Sequence, residues 1–231
     1  MKKYVAEFVG TMTLVMIGCG TAMLVGCDST SGCGYILTAL AFGLSIVCMA
    51  YSIGNVSGCH INPAVSFAVW LKGGMDVKEL CGYIISQILG ALCGSLFLGI
   101  IFRAGSVTDL TGGMGTNGLA GVGNSSVAGL LVEIFLTFFF ITAILGVTDE
   151  KFKHGSFAGL VISLTLVGVH ILGIGLTGTS VNPARSIGPA VINALFNHDA
   201  GALKCVWVFI VGPLAGSGLA VWLYQFITKD K

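Results

Sequence analysis

Ser57-Gly58-Cys59-His60-Ile61-Asn62-Pro63-Ala64-Val65-Ser66 is echoed 120 positions downstream by Thr177-Gly178-Thr179-Ser180-Val181-Asn182-Pro183-Ala184-Arg185-Ser186. Asn is a good helix N-cap and Pro is favoured at the first helical position, so each Asn-Pro-Ala reads as a helix start. One copy would mark only a capped helix. Two copies in matching ten-residue contexts mark an internal repeat. The apolar segments that follow, 62–71 and 182–196, are too short to cross a hydrocarbon core of about 30 Å at 1.5 Å per residue. They read as re-entrant half-helices or as buried loops.

The rest of the chain supports a membrane setting. Apolar residues make up 55% and charged residues 9% of 231 positions, and the mean hydropathy is +0.96. Soluble domains carry about 25% charged residues. That excludes a cytosolic enzyme, a nucleic-acid binder and a disordered chain. A net charge of +1 implies no strongly acidic or basic partner. Six long apolar runs, about 4–26, 35–53, 79–102, 127–147, 156–176 and 204–227, are each long enough to span. The start, Met1-Lys2-Lys3 before an apolar run, is read as a retained first span, because Glu7 interrupts the run and no cleavage site is clear.

With six spans, Lys2, Lys3, Lys72, Lys78, Lys151, Lys153, Lys229 and Lys231 all fall on one side. The positive-inside rule puts both termini in the cytoplasm. The expected organisation is one transmembrane domain over 1–231, with repeat one at about 4–102 and repeat two at about 127–227. The outer loop 103–126, with seven glycines, links them.

The repeat extends beyond the Asn-Pro-Ala segments. Glu7 and Thr11 match Glu133 and Thr137, 126 positions on. Ser86, Gly90 and Gly94 match Gly212, Gly216 and Ala220 at the same offset, a small-residue ladder that allows close backbone approach of spans 3 and 6. Three spans per half is an odd number, so the second half inserts upside down. The fold class is an all-α membrane protein of six transmembrane helices plus two re-entrant half-helices in an inverted 3+3 repeat. The two half-helix N-termini then meet near the midplane and bring two positive dipole ends there.

Asn62 and Asn182 can cap their helices through the carboxamide oxygen, leaving NH₂ donors to point elsewhere. Non-helical backbone at membrane depth must be buried or line a wet cavity. The carbonyls of Gly58, Cys59, His60, Ile61, Gly178, Thr179 and Ser180 therefore form an acceptor track. Such a passage suits a small neutral molecule that both donates and accepts. Glu7 and Glu133 have two readings. They could relay protons, or each could accept backbone N–H bonds from the re-entrant loop of its own half. Their symmetric placement favours the second.

On these motifs the sequence resembles the aquaporin and glycerol-facilitator (major intrinsic protein) family over essentially its whole length. The resemblance implies a homotetramer with one pore per subunit. It also implies pore motifs at Asn62, Pro63, Ala64, Asn182, Pro183 and Ala184, and a constriction of Phe42, His170, Thr179 and Arg185. Glycerol-conducting relatives typically carry a small residue at the His170 position and Asp after the Arg. Ser186 stands there in this chain, as in the water-selective branch. Each constriction residue also has a structural reading on its own: His170 as a core histidine, Arg185 snorkelling to the interface, Phe42 facing core or lipid.

The expected function is a passive water channel in the cell membrane that excludes protons and ions. Its partners are water, the lipid bilayer and its own copies, with no nucleic acid. The alternatives are a facilitator of glycerol, ammonia or another small neutral solute, an ion-coupled secondary transporter, and a non-conducting structural protein. No enzyme activity, cofactor or metal is expected. Gly173-x-Gly175-x-x-Gly178 and Gly113-x-Gly115-x-x-Gly118 fit the dinucleotide pattern but neither sits in a βαβ unit. Asn124-Ser125-Ser126 is a sequon in a loop. Of eight cysteines, Cys27 and Cys33 share a short polar loop and could pair.

Overall fold

The computed structural model describes residues 1–27, 33–149, 151 and 155–229. The Cys33 side chain lies outside that description, and with it the pairing to Cys27. Among the described residues the regular structure is helical. It comprises α1 Lys2–Val25, α2 Cys33–Ser57, α3 Pro63–Leu71, α4 Val77–Ala104, α5 Ser126–Val147, α6 Ala158–Thr177, α7 Pro183–Asn197, α8 Gly201–Cys205 and α9 Val208–Thr228. Six are long and apolar enough to cross a membrane, with α8 and α9 together making the sixth crossing. Three boundaries move from the hydropathy reading. Helix α2 runs on past residue 53 to Ser57, where Gly58 at φ 82° stops it. Its polar tail belongs to the helix although it does not look like a membrane run. The fifth span starts as a helix at Ala158 after a single tight turn, Gly155–Phe157. The sixth breaks between Cys205 and Val208.

The helix ends follow from their capping residues. Asn62 Oδ1 accepts from Ala64 N (2.8 Å), and Asn182 Oδ1 accepts from Ala184 N (3.1 Å) and Arg185 N (3.3 Å). Asp76 caps α4 and Ser125 caps α5 in the same way. Gly26 and Gly178, both left-handed, close α1 and α6.

Half-helices α3 (9 residues) and α7 (15 residues) together would be about 36 Å long at 1.5 Å per residue, the length of one crossing. Each packs against the third span of the opposite repeat, α3 on α9 and α7 on α4. Ser217 of α9 donates to the Ala64 carbonyl at 2.9 Å. A Cβ on Gly188 of α7 would lie 2.6 Å from the Ala91 backbone of α4. The repeats are thereby interlocked.

The small-residue ladders do not join spans 3 and 6 to one another. They seat each on the first span of its own repeat. A Cβ on Gly90 would meet the Phe8 carbonyl oxygen at 2.3 Å, and one on Gly216 the Ile134 carbonyl oxygen at 2.4 Å. Large apolar side chains such as Leu44, Leu131, Leu164, Leu172, Trp222 and Phe226 face outward, as a lipid-facing surface requires.

Candidate functional site

The two half-helix tips meet. Asn62 Nδ2 donates to the Val181 carbonyl at 2.7 Å, and Asn182 Nδ2 donates to the Ile61 carbonyl at 2.9 Å. Each NH₂ spends one of its two hydrogens on the opposite loop, and the Ile61 and Val181 carbonyls each accept one bond in that clasp. Among the described residues, the carbonyls of Gly58, Cys59, His60, Gly178, Thr179 and Ser180 take no protein donor.

The loops leading to the tips share an unusual backbone. Gly58 and Gly178 are left-handed, and so are Cys59 (φ 52°), Ile61 (φ 43°), Thr179 (φ 47°) and Val181 (φ 44°). Non-glycine residues held there cost on the order of 1–3 kcal/mol each and persist only when their surroundings fix them. The fixing groups are the two buried carboxylates, both fully excluded from solvent. Glu7 accepts from Ser57 Oγ (2.7 Å) and His60 N (2.9 Å) on Oε1, and from Ile61 N (2.6 Å) and Gln87 Nε2 (2.7 Å) on Oε2. Glu133 accepts from Thr177 Oγ1 (2.7 Å), Ser180 N (3.0 Å) and Val181 N (2.8 Å). Each carboxyl group thus gathers two backbone N–H groups of its own repeat's loop and at least one side-chain donor.

Sequence reasoning missed Gln87, Ser66, Asn117 and Gly115. Gln87 bridges Glu7 and Ser66. Asn117 Oδ1 accepts from Ser186 Oγ at 2.8 Å, while its Nδ2 donates to the Thr177 carbonyl. The Gly115 carbonyl accepts from Arg185 Nη1 at 2.9 Å. An amide inside an apolar span was a readable signal for Gln87. Gly115 and Asn117 come from a glycine-rich loop whose path no periodicity encodes, and Ser66 lies on α3 within the repeated stretch.

Three cavities share walls in series. One of about 440 Å³ is lined by Ala50, Gly54, Gly58, Cys59 and His60 among others. It shares Ile46, His60 and Phe140 with a narrow segment of about 10 Å³ that also touches Asn62, Asn182, Leu14, Leu166, His170 and Arg185. Arg185 in turn borders a third cavity of about 380 Å³ against Gly115, Gly178 and the loop. A single water needs about 10–15 Å³, so the middle segment admits one molecule at a time.

At one end of that segment Phe42, His170 and Arg185 converge. Phe42 stacks on His170 with ring centroids 4.4 Å apart, and the Arg185 guanidinium lies 5.0 Å from the Phe42 ring centroid. His170 Nδ1 lies 2.9 Å from the Leu166 carbonyl. A carbonyl only accepts, so the neutral ring carries its proton there and Nε2 is left as an acceptor. His170 Nε2 and Arg185 Nε have no protein partner among the described residues. The constriction thus offers one acceptor and one fixed cationic donor. The side chain of the fourth expected member, Thr179, is buried against Gly173 of α6, where a Cβ would fall 2.4 Å from the hydroxyl; that hydroxyl also has no protein partner among the described residues, and it does not line the narrow segment.

The sequence profile of the major intrinsic proteins matches residues 1–224. Aquaporin Z of Rhodopseudomonas palustris is 39% identical over 231 residues, covering 99% of this chain and 94% of the relative. Aquaporin Z of Brucella melitensis is 41% identical over 227 residues, 96% of each. Among solved structures, the aquaglyceroporin from Plasmodium falciparum superposes with a TM-score of 0.85 at 24% identity, over 97% of this chain and 95% of that one. That likeness concerns the fold. A profile match reaching from the first residue into the last helix, with relatives this similar along nearly their full length, makes this chain a member of the major intrinsic protein family.

Proposed function

We propose that the chain is a passive water channel. The observation that carries this reading is the narrow segment itself. It is wide enough for one water, walled by Leu14, Ile46, Phe140 and Leu166, and has polar atoms only at a few points. Each Asn amide keeps one N–H beyond the clasp, so a water oxygen turns toward Asn62 and Asn182 at the centre. The free carbonyls of Gly58, Cys59, His60, Gly178, Thr179 and Ser180 receive its hydrogens on either side. Protons and cations are excluded by the two helix N-termini, by the Arg185 charge and by the missing hydration shell. Flux follows the osmotic gradient with no coupling ion and no chemical step.

The same reading sets the surroundings. The Arg185 end faces outward, the lysine-rich end and both termini face the cytoplasm, and the setting is a cell membrane. The chains assemble as a homotetramer with one passage per subunit. The relatives named above are called aquaporins, which favours water over larger solutes. So does the buried His170–Phe42 stack, which fills space a polyol would need.

The test is stopped-flow light scattering on vesicles carrying the purified protein, first in a sucrose gradient and then in a glycerol gradient. Fast shrinkage in sucrose with slow re-swelling in glycerol is expected. Rapid glycerol re-swelling would replace the water-selective reading by the facilitator reading.

A further inference from the structure

His60 borders both the narrow segment and the larger cavity beside it. We infer that Gln87 and Ser66 hold this ring as its Nε2–H tautomer, so that it presents a hydrogen-bond donor to the passage, opposite in polarity to the acceptor edge of His170. Gln87 and Ser66 are then positioning residues, acting through the ring.

The assignment follows from counting donors. Two of the four groups on Glu7 are backbone N–H groups, so its oxygens act as acceptors. Gln87 turns its nitrogen toward Glu7 Oε2, since the reverse orientation would set amide oxygen against an acceptor; its Oε1 then has no protein partner among the described residues. The second amide hydrogen then faces Ser66 Oγ at 2.9 Å. Ser66 Oγ accepts there, and His60 Nδ1 lies 3.1 Å away. With Nδ1 as acceptor, the Ser66 proton has a partner. With Nδ1 protonated, that buried hydroxyl would keep a proton with no acceptor among the described residues, which is costly. The neutral ring therefore carries its hydrogen on Nε2. Tyr83 fixes the ring plane from behind, with centroids 5.0 Å apart and its own hydroxyl donating to the Ser57 carbonyl.

The other repeat supplies an internal contrast. Ser186 stands where Ser66 does, but its amide neighbour offers oxygen. Asn117 turns Nδ2 to the Thr177 carbonyl, so its Oδ1 accepts from Ser186. The residue matching His60 is Ser180, whose hydroxyl lies 2.6 Å from Ser186 Oγ. The position matching Gln87 is Pro213. The same serine is wired in opposite directions in the two halves, and only the first half ends on a ring that faces the passage.

The functional meaning rests on the water-channel reading. A water arriving from the His60 side meets a donor before it meets the Asn donors, so its oxygen already points the right way. The test uses the full chain, labelled with ¹⁵N-histidine and reconstituted in bilayers, with ring nitrogens read by solid-state NMR at neutral pH. In the wild type, His60 should show an unprotonated Nδ1 and a protonated Nε2, and His170 the reverse. Ser66→Ala should let His60 populate both tautomers, leave His170 unmoved and lower osmotic permeability severalfold. A protonated Nδ1 on wild-type His60, or an unchanged Nε2–H ring in Ser66→Ala, overturns the assignment. A tautomer change without a permeability change overturns its part in permeation. The expected tautomers in a protein that carries no water would sink the channel reading and leave the assignment standing.

Discussion

Arg185 is a cation with 3% of its surface exposed, deep in an apolar helical protein. It is tolerated because its Nη1 is bonded to the Gly115 carbonyl, its face lies over Phe42, and it borders the 380 Å³ cavity. His170 completes the opening, while Thr179 packs behind it. His170→Gly alone should therefore admit glycerol, measured as re-swelling in a glycerol gradient. Adding Thr179→Gly should widen the passage little further. If both substitutions are required, Thr179 shapes the opening after all. Cys59 lines the 440 Å³ cavity close to the narrow segment. An organomercurial should slow osmotic shrinkage of wild-type vesicles, and Cys59→Ser should remove the block. A block that survives in that variant belongs to another cysteine.

At the scale of the helix, glycine seams decide how closely spans approach. Gly216 and Gly218 lie two positions apart on α9 and make a matched pair. Alanine gains up to about 1 kcal/mol of helix propensity over glycine at either site. At Gly218 nothing lies within 4 Å of the added methyl. At Gly216 it would fall 2.4 Å from a backbone carbonyl oxygen, which cannot swing aside. Overpacking of this kind costs about 1–3 kcal/mol, so it wins. Gly216→Ala should lower the melting temperature in detergent, and Gly218→Ala should leave it unchanged or slightly raised. Equal behaviour of the two would mean that α5 and α9 are not held at this seam. The sequence made the ladder visible but not its partner, because four-residue spacing identifies a face and says nothing of what lies opposite. The re-entrant helices were legible for a firmer reason. Asn-Pro-Ala is a start signal with a mechanism, and a nine- to fifteen-residue apolar run cannot cross a bilayer.

For the molecule as a whole, the inverted repeat is what makes a passage. The odd number of spans per half turns the second half over, and the crossed packing of α3 on α9 and α7 on α4 locks the halves tip to tip. The inversion and the meeting of the tips could be read from the 120- and 126-residue offsets; the crossed packing could not. Nor could the asymmetry of the passage. It comes from residues that break the repeat: His170 and Arg185 on one side, Gln87 and His60 on the other, and the loop carrying Gly115 and Asn117. Repeats reveal what two halves share, and selectivity lies where they differ. The most direct test of the central claim is the temperature dependence of osmotic shrinkage in vesicles reconstituted with the wild-type chain. A preformed single-file passage predicts shrinkage much faster than in protein-free vesicles and only weakly dependent on temperature. Shrinkage at the protein-free rate, with the steep temperature dependence of a bare bilayer, would contradict it.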